Sequence, residues 1–220
     1  AAVTVAAPLL AGSAPVSKKT IEWKMVTAWP KNFPGAGAGA QRLAQRIGEM
    51  SGGRLSVKVY AAGELVPAFE VFDAVSQGTA EMGHATSYYW AGKLPAAQFF
   101  SSVPFGMTAN ELNAWIYHGG GQALWDELYA PYNLLPRLAG NAGVQMAGWF
   151  RREIKSLDDL KGLKMRIQGV AAEVLKRSGV TPVALPAGDI FTSLQSGLID
   201  AAEFTGPWKD LALGLYRVAK

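Results

Sequence analysis

Residues 75–86 read VSQGTAEMGHAT: a helix end, a glycine at Gly78, an acidic residue at Glu81 and a short strand. Outward from this stretch the pattern stays regular. Pro67 opens a helical run over 68–77 that Gly78 stops. Before it, LSVKVY (55–60) alternates apolar and polar residues as a half-buried strand does. A Gly/Ala-rich stretch from Gly35 to Ala40 opens a longer helix. There Leu43, Ile47 and Met50 recur at helical spacing, and Ser51-Gly52-Gly53 end it. IEWKMVT (21–27) is another alternating strand. The order β-α-β-α-β is that of a doubly wound α/β lobe.

LQSGLIDAAEFT (194–205) repeats the plan of residues 75–86, with Gly197, Asp200 and a short strand leading to an aromatic residue. Two such units in two halves predict two lobes facing one cleft. Residues 110–130 read as a helical region interrupted by Gly119-Gly120-Gly121, and 142–150 as an apolar strand. Ser156 to Leu160 carries a capped helical turn. Then come a strand at 164–169, a helix at 170–178, a strand at 181–185, a helix at 189–197 and a strand at 199–204. The closing LALGLYRVAK (211–220) has helix-like spacing.

Of the 220 residues half are apolar, enough for a sizeable core. The balance of 21 Lys+Arg against 17 Asp+Glu gives +4, without a block of five like charges, which argues against a nucleic-acid tail. Cysteine is absent, which excludes disulfides, thiolate metal sites and Cys nucleophiles. With only His84 and His118, a three-His metal centre is excluded, and a Ser-His-Asp triad would need one of the two. No P-loop, G-x-S-x-G or H-E-x-x-H stands in a supporting context. Residues 1–14, AAVTVAAPLLAGSA, are small, apolar and uncharged, as in the back half of a secretory signal peptide cleaved near Ser13 or Ala14.

Arg166 lies in a short strand, Lys164-Met165-Arg166-Ile167, between a turn and Gly169; an Arg near the carboxyl end of a strand, where an α/β sheet binds ligands, can clamp a carboxylate through two parallel N–H bonds. The alternative is a surface Arg on an edge strand. Glu203 follows an apolar strand and needs a partner, either a cation or Arg166, unless it anchors the next turn. Asn141 and Gln145 flank a glycine in GNAGVQ; their amides suit hard cations or carboxylates, or local turn bonds. Tyr88, Tyr89 and Trp90 can wall a pocket with polar tips, or form a core edge.

AAGELVP (61–67), YYWAGK (88–93), AWIYHGGG (114–121), GNAGVQMAGWFRREI (140–154), LKGLKMRIQG (160–169) and LQSGLIDAAEFTGPW (194–208) occur in collinear order. Together they resemble the solute-binding protein of TRAP transporters (DctP-type), in its 2-oxo acid, pyruvate-type branch. The resemblance covers the chain from about residue 21 onward. It implies a two-lobed periplasmic-binding-protein-like α/β fold with a ligand cleft between the lobes, lobe 1 at 20–140 and lobe 2 at 141–205. Residues 206–220 would begin the hinge and crossover region, with the C-terminal part of the family chain missing. It also implies a non-enzymatic receptor that delivers a small organic acid to a membrane permease. Arg166 would pair with the ligand carboxylate, and Asn141, Tyr88, Tyr89 and Phe204 would line the pocket. A cation, Na⁺ or Ca²⁺, would be held by Gln145, Glu203 and the backbone carbonyl of Phe204. The branch usually has Glu-Trp where this chain has Glu203-Phe204, and VGPY where it has TGPW. A homodimer is a further expectation for the full-length family chain. The rival readings are a carboxylic-acid-processing enzyme using His84 or His118, and a ligand-binding sensor.

Overall fold

The computed structural model describes residues 19–220, so the apolar stretch at 1–14 lies outside the described residues. The first half contains β1 (Ile21–Thr27), α1 (Ala36–Met50), β2 (Leu55–Tyr60), α2 (Val71–Ser76) and β3 (Met82–His84). Its sheet has the order β2-β1-β3, parallel throughout. Two further helices follow, α3 (Ala109–His118) and α4 (Gly121–Tyr129). The second half contains β4 (Trp149–Phe150), β5 (Lys164–Arg166), α5 (Gly169–Arg177), β6 (Thr181–Val183), α6 (Ala187–Ser196), β7 (Ala201–Ala202) and α7 (Pro207–Ala212). Its sheet runs β4-β7-β5-β6. Strands β6-β5-β7 repeat the parallel β2-β1-β3 arrangement, and β4 adds an antiparallel edge to β7.

The echo between 75–86 and 194–205 has a structural cause. Gly78 and Gly197 end their helices in the left-handed region, at φ 76° and 77°. Only glycine reaches that conformation without a Cβ penalty. The acidic residue that follows pins the central strand. Glu81 Oε2 accepts from the Lys24 N–H at 2.7 Å, and Asp200 Oδ2 accepts from the Lys164 N–H at 3.0 Å.

Several elements differ from their sequence reading. In β1 the alternation gives way to a fully buried end, Met25, Val26 and Thr27, because β3 joins there and closes the second side. Helix α1 buries Gly37, Ala40 and Ala44, while Leu43 and Ile47 are half-buried and Met50 is exposed. The small residues let it approach the sheet closely. Only Trp149–Phe150 of the expected strand 142–150 pairs in a sheet, because Gly143 (φ 79°) and Gly148 (φ 143°) bend the backbone out of register. The C-terminal helix stops at Ala212, and Gly214 (φ 71°) turns the chain into a 3-10 turn over Leu215–Arg217. Lys220 then exchanges both backbone bonds with Phe150, each 2.9 Å.

One apolar cluster runs through both halves, from Val26, Phe33 and Val71 to Ile190, Leu194, Phe204 and Leu215. A separate aromatic cluster around Phe72, Phe100, Trp125 and Tyr129 holds α3 and α4 against the first half. Among the described residues no helix is long and apolar enough to cross a membrane.

Candidate ligand-binding site

The carboxyl ends of the parallel strands in the two sheets meet, and Arg166 lies at the junction. It ends β5 and is wholly buried. Its Nε donates to the Leu185 carbonyl at 3.0 Å, and its Nη1 donates to the Glu203 carbonyl at 2.5 Å. Nη1 also lies 3.4 Å from Glu203 Oε2. A buried guanidinium requires a counter-charge and filled hydrogen bonds, and this one has neither in full. Among the described residues, Arg166 Nη2, Glu203 Oε1 and Tyr89 Oη are buried side-chain atoms without a hydrogen-bond partner. Each such orphan costs about 1–3 kcal/mol unless something fills it.

Burial pushes the Glu203 carboxyl up to about 7, against the opposing pull of Arg166 and with a smaller push from Asp210. Burial likewise raises the phenols of Tyr88 and Tyr89, and the charges of both Arg166 and Glu203 act on them. Both tyrosines therefore stand beside the pair as neutral donors. Tyr88 packs on the start of α5, where a Cβ on Gly169 (φ +67°) would come within 3.2 Å of its own Cβ. The Phe204 ring lies 5.0 Å from the Arg166 guanidinium, a cation–π distance. On its other side it meets Phe33 of the first half edge-on at 5.6 Å.

Gln145 Nε2 donates to the Phe204 carbonyl at 2.9 Å. The structure thus brings together Arg166, Glu203, Gln145 and Phe204, with Tyr88 and Tyr89 alongside. Asn141 is not brought in: it sits in an exposed loop and accepts the Gly143 N–H on Oδ1 at 2.7 Å. Trp90 belongs to the aromatic core, donating to Tyr129 Oη and packing on Phe72.

The donor set fits a hard cation. It offers one carboxylate with a free oxygen, one amide and one backbone carbonyl. Among the described residues, no cluster of three or more His, Cys, Asp or Glu could hold a metal alone. A cation here would need further neutral oxygens, from the backbone, from water or from a ligand. The enzyme reading gains nothing from the histidines. His84 Nδ1 accepts from the Trp29 indole at 2.7 Å, and His118 is exposed at the end of α3.

Sequence reasoning missed the Leu185 carbonyl, Phe33 and Asp210. Asp210 is fully buried and accepts from Trp149 Nε1 at 2.9 Å, from Thr205 Oγ1 at 2.9 Å and from the Thr205 N–H at 3.2 Å. The acid three residues after Pro207 signals a helix N-terminus, but not the indole it receives.

The family model described as bacterial extracellular solute-binding protein, family 7 (DctP) matches residues 25–220. A monocarboxylate 2-oxoacid-binding periplasmic protein of Nostoc sp. is 50% identical over 91% of this chain and 55% of its own length. A TRAP periplasmic solute-binding protein from Pseudoalteromonas atlantica, solved with bound sodium and pyruvate, is 45% identical with a TM-score of 0.89. That match covers 91% of this chain and 61% of the other. One from Bordetella bronchiseptica, a dimer with calcium and picolinate in its active site, is 44% identical with a TM-score of 0.89, over 91% of this chain and 60% of that one. This chain therefore spans a little over half the length of these relatives, which are solute-binding proteins and not enzymes. On the family match and the shared fold, the chain belongs to the DctP family of bacterial extracellular solute-binding proteins.

Proposed function

We propose that this chain is the ligand-binding part of a TRAP-type extracytoplasmic receptor. It takes a small 2-oxo or 2-hydroxy monocarboxylate together with Na⁺ or Ca²⁺ and passes it to membrane permease subunits. The observation that carries this reading is the buried Arg166–Glu203 pair with Nη2 and Oε1 left free. Arg166 Nη2 donates to the acid's carboxylate as a charged donor, and the Tyr89 hydroxyl supplies a neutral one. Glu203 Oε1, the Gln145 amide and the Phe204 carbonyl hold the cation, the amide turning its oxygen inward. A bound cation supplies charge neutralisation between Glu203 and the acid. Phe204 and Phe33 exclude water, which strengthens every charged contact.

The reading is supported by the relative solved with sodium and pyruvate, and by the calcium-containing dimer for both the alternative cation and a homodimer. It includes a lobe boundary near residue 140, within a stretch from 133 to 148 that contains no helix or strand. It also includes export to the periplasm through a signal peptide and a hinge starting after residue 205. The Phe33–Phe204 and Tyr88–Gly169 contacts cross between the halves. A trapped acid would favour that closed arrangement.

Titration calorimetry on the protein expressed from its complete reading frame tests this. Pyruvate should bind in Na⁺ or Ca²⁺ and bind far more weakly after chelation and exchange into a bulky organic cation. Cation-independent binding would refute the shared site, and no binding of any short 2-oxo or 2-hydroxy acid would refute the receptor reading.

A further inference from the structure

The two matched units end at matched positions. His84 stands six residues past Gly78, and Glu203 stands six residues past Gly197. Each lies at the carboxyl end of the strand beside its central strand. In the second half the Glu203 N–H donates to the Arg166 carbonyl at 2.9 Å. In the first half the Ala28 N–H donates to the His84 carbonyl at 3.1 Å. Each half then sets one side-chain pair across its sheet end. In the second the pair is Arg166 and Glu203. In the first it is Trp29 and His84, with the indole donating to Nδ1 at 2.7 Å.

The first pair leads to the second through rings. Trp29 is 8% exposed, and its ring lies 6.1 Å from that of Tyr89. Phe69 meets Tyr89 from another side at 4.9 Å. The Tyr89 hydroxyl is buried without a partner, within the influence of Arg166 and Glu203. We infer that His84 is a positioning residue for the ligand site: by accepting the Trp29 indole on Nδ1, it fixes the ring that holds Tyr89 against Arg166 and Glu203. This rests on the reading of Arg166 and Glu203 as the ligand site.

The surroundings of His84 suit that task. Across from it β1 presents Thr27, and beyond the strand end Trp29. Helix α2 lays Val71 and Val75 against the neighbouring Gly83, where a Cβ would come within 2.7 Å and 3.0 Å of them. Tyr89, the nearby phenol, is held neutral by burial. Burial keeps the imidazole below its ordinary value, opposed only by a bond to its own backbone, with no contribution from a charged side chain. Nδ1 therefore keeps its lone pair at neutral pH. A protonated ring has no acceptor and would leave the buried indole N–H unmatched.

The test uses the protein from its complete reading frame with pyruvate and Ca²⁺ at pH 7.5. His84→Phe removes the acceptor and keeps a ring; it should weaken binding about tenfold, the scale of one lost buried hydrogen bond. His84→Gln offers an amide oxygen and should stay within about threefold of wild type. Trp29→Phe should weaken binding as His84→Phe does, and the double variant should be no worse than either. In ligand-free protein the Trp29 indole N–H resonance should titrate with the imidazole as pH falls, and should not in His84→Gln. Melting temperatures identify any variant that fails to fold, and His84→Gln keeps the test open if His84→Phe does. Wild-type affinity in a folded His84→Phe, additive single effects, or a pH-independent indole resonance would each overturn the inference while leaving the receptor reading intact. A wild type that takes no pyruvate with either cation would overturn both.

Discussion

Arg166 and Glu203 meet through a single nitrogen: Nη1 serves both the Glu203 carbonyl and its Oε2, while Nη2 and Oε1 go unmatched. A bidentate Arg–carboxylate pair would use both forks and be worth more. A buried pair arranged this way gives up stability and leaves two strong groups unmatched, the feature on which the receptor proposal rests.

Arg166→Lys should keep the charge and lose the fork. A lysine ammonium cannot reach the Leu185 carbonyl, Glu203 and the acid with one planar geometry. Pyruvate affinity should fall on the order of 100-fold, and Arg166→Ala should bring it below detection. Calorimetry at fixed cation concentration checks both, and affinity unchanged in Arg166→Ala would remove this residue from the site.

Glu203 gives a pH signature. Its carboxyl titrates at about 7 in the fold against 4.5 as an isolated group. A group raised in this way favours the fold when protonated. That contribution is complete below about pH 4.5 and is lost as pH rises to about 7, a loss of about 3 kcal/mol. Denaturant titrations in chelator and an organic-cation buffer should show this fall between pH 5 and 7.5. Glu203→Gln should flatten it. Added Ca²⁺ should restore stability at pH 7.5 in wild type and not in Glu203→Gln.

Asp210→Ala would strip Trp149 and Thr205 of their acceptor. Losing three part-buried bonds to a fully buried carboxylate should destabilise the protein by about 3 kcal/mol, read as a lower denaturant midpoint. Asp210→Asn keeps an acceptor oxygen and should recover part of that loss.

Gly169→Ala sets a Cβ at φ +67° and against Tyr88. Strain and crowding together should destabilise by about 1–2 kcal/mol. Pyruvate affinity should drop beyond what the stability change explains, because Tyr88 is displaced. A melting curve and a binding isotherm on the same sample check both.

Much of this architecture is legible because short-range chemistry writes it. Gly78 and Gly197 stop helices by a backbone need that any reader of the chain can apply, and LSVKVY alternates because one strand side faces the core. Strand 142–150 misleads because its apolar residues invite a ladder, while Gly143 and Gly148 twist the chain out of one. Helix α1 misleads because glycine and alanine carry the contact that larger residues usually make. At the site, Arg166 and Glu203 stand out as charges at apolar strand ends, and the structure sets them 3.4 Å apart. Phe33, Trp29 and the Leu185 carbonyl gave no such sign. Their roles come from neighbours far away in sequence, and a ring or a carbonyl looks the same wherever it ends up.

The unlike endings of the two like units give the proposed binding site a head and a tail. The second half ends in charge and the first in aromatic rings. In the proposed receptor, an acid seated between them would have its carboxylate held by Arg166 of one half and the Tyr89 hydroxyl of the other, with its carbon chain limited by the rings of the first half. Trp29 lies 6.1 Å and Phe69 4.9 Å from the Tyr89 ring, so on that reading a longer chain would press on rings that are already packed together. On the proposed reading Tyr89 ties the two tasks together: the ring that would limit molecular length also carries the hydroxyl that would meet the acid, so a change in one selectivity would carry into the other.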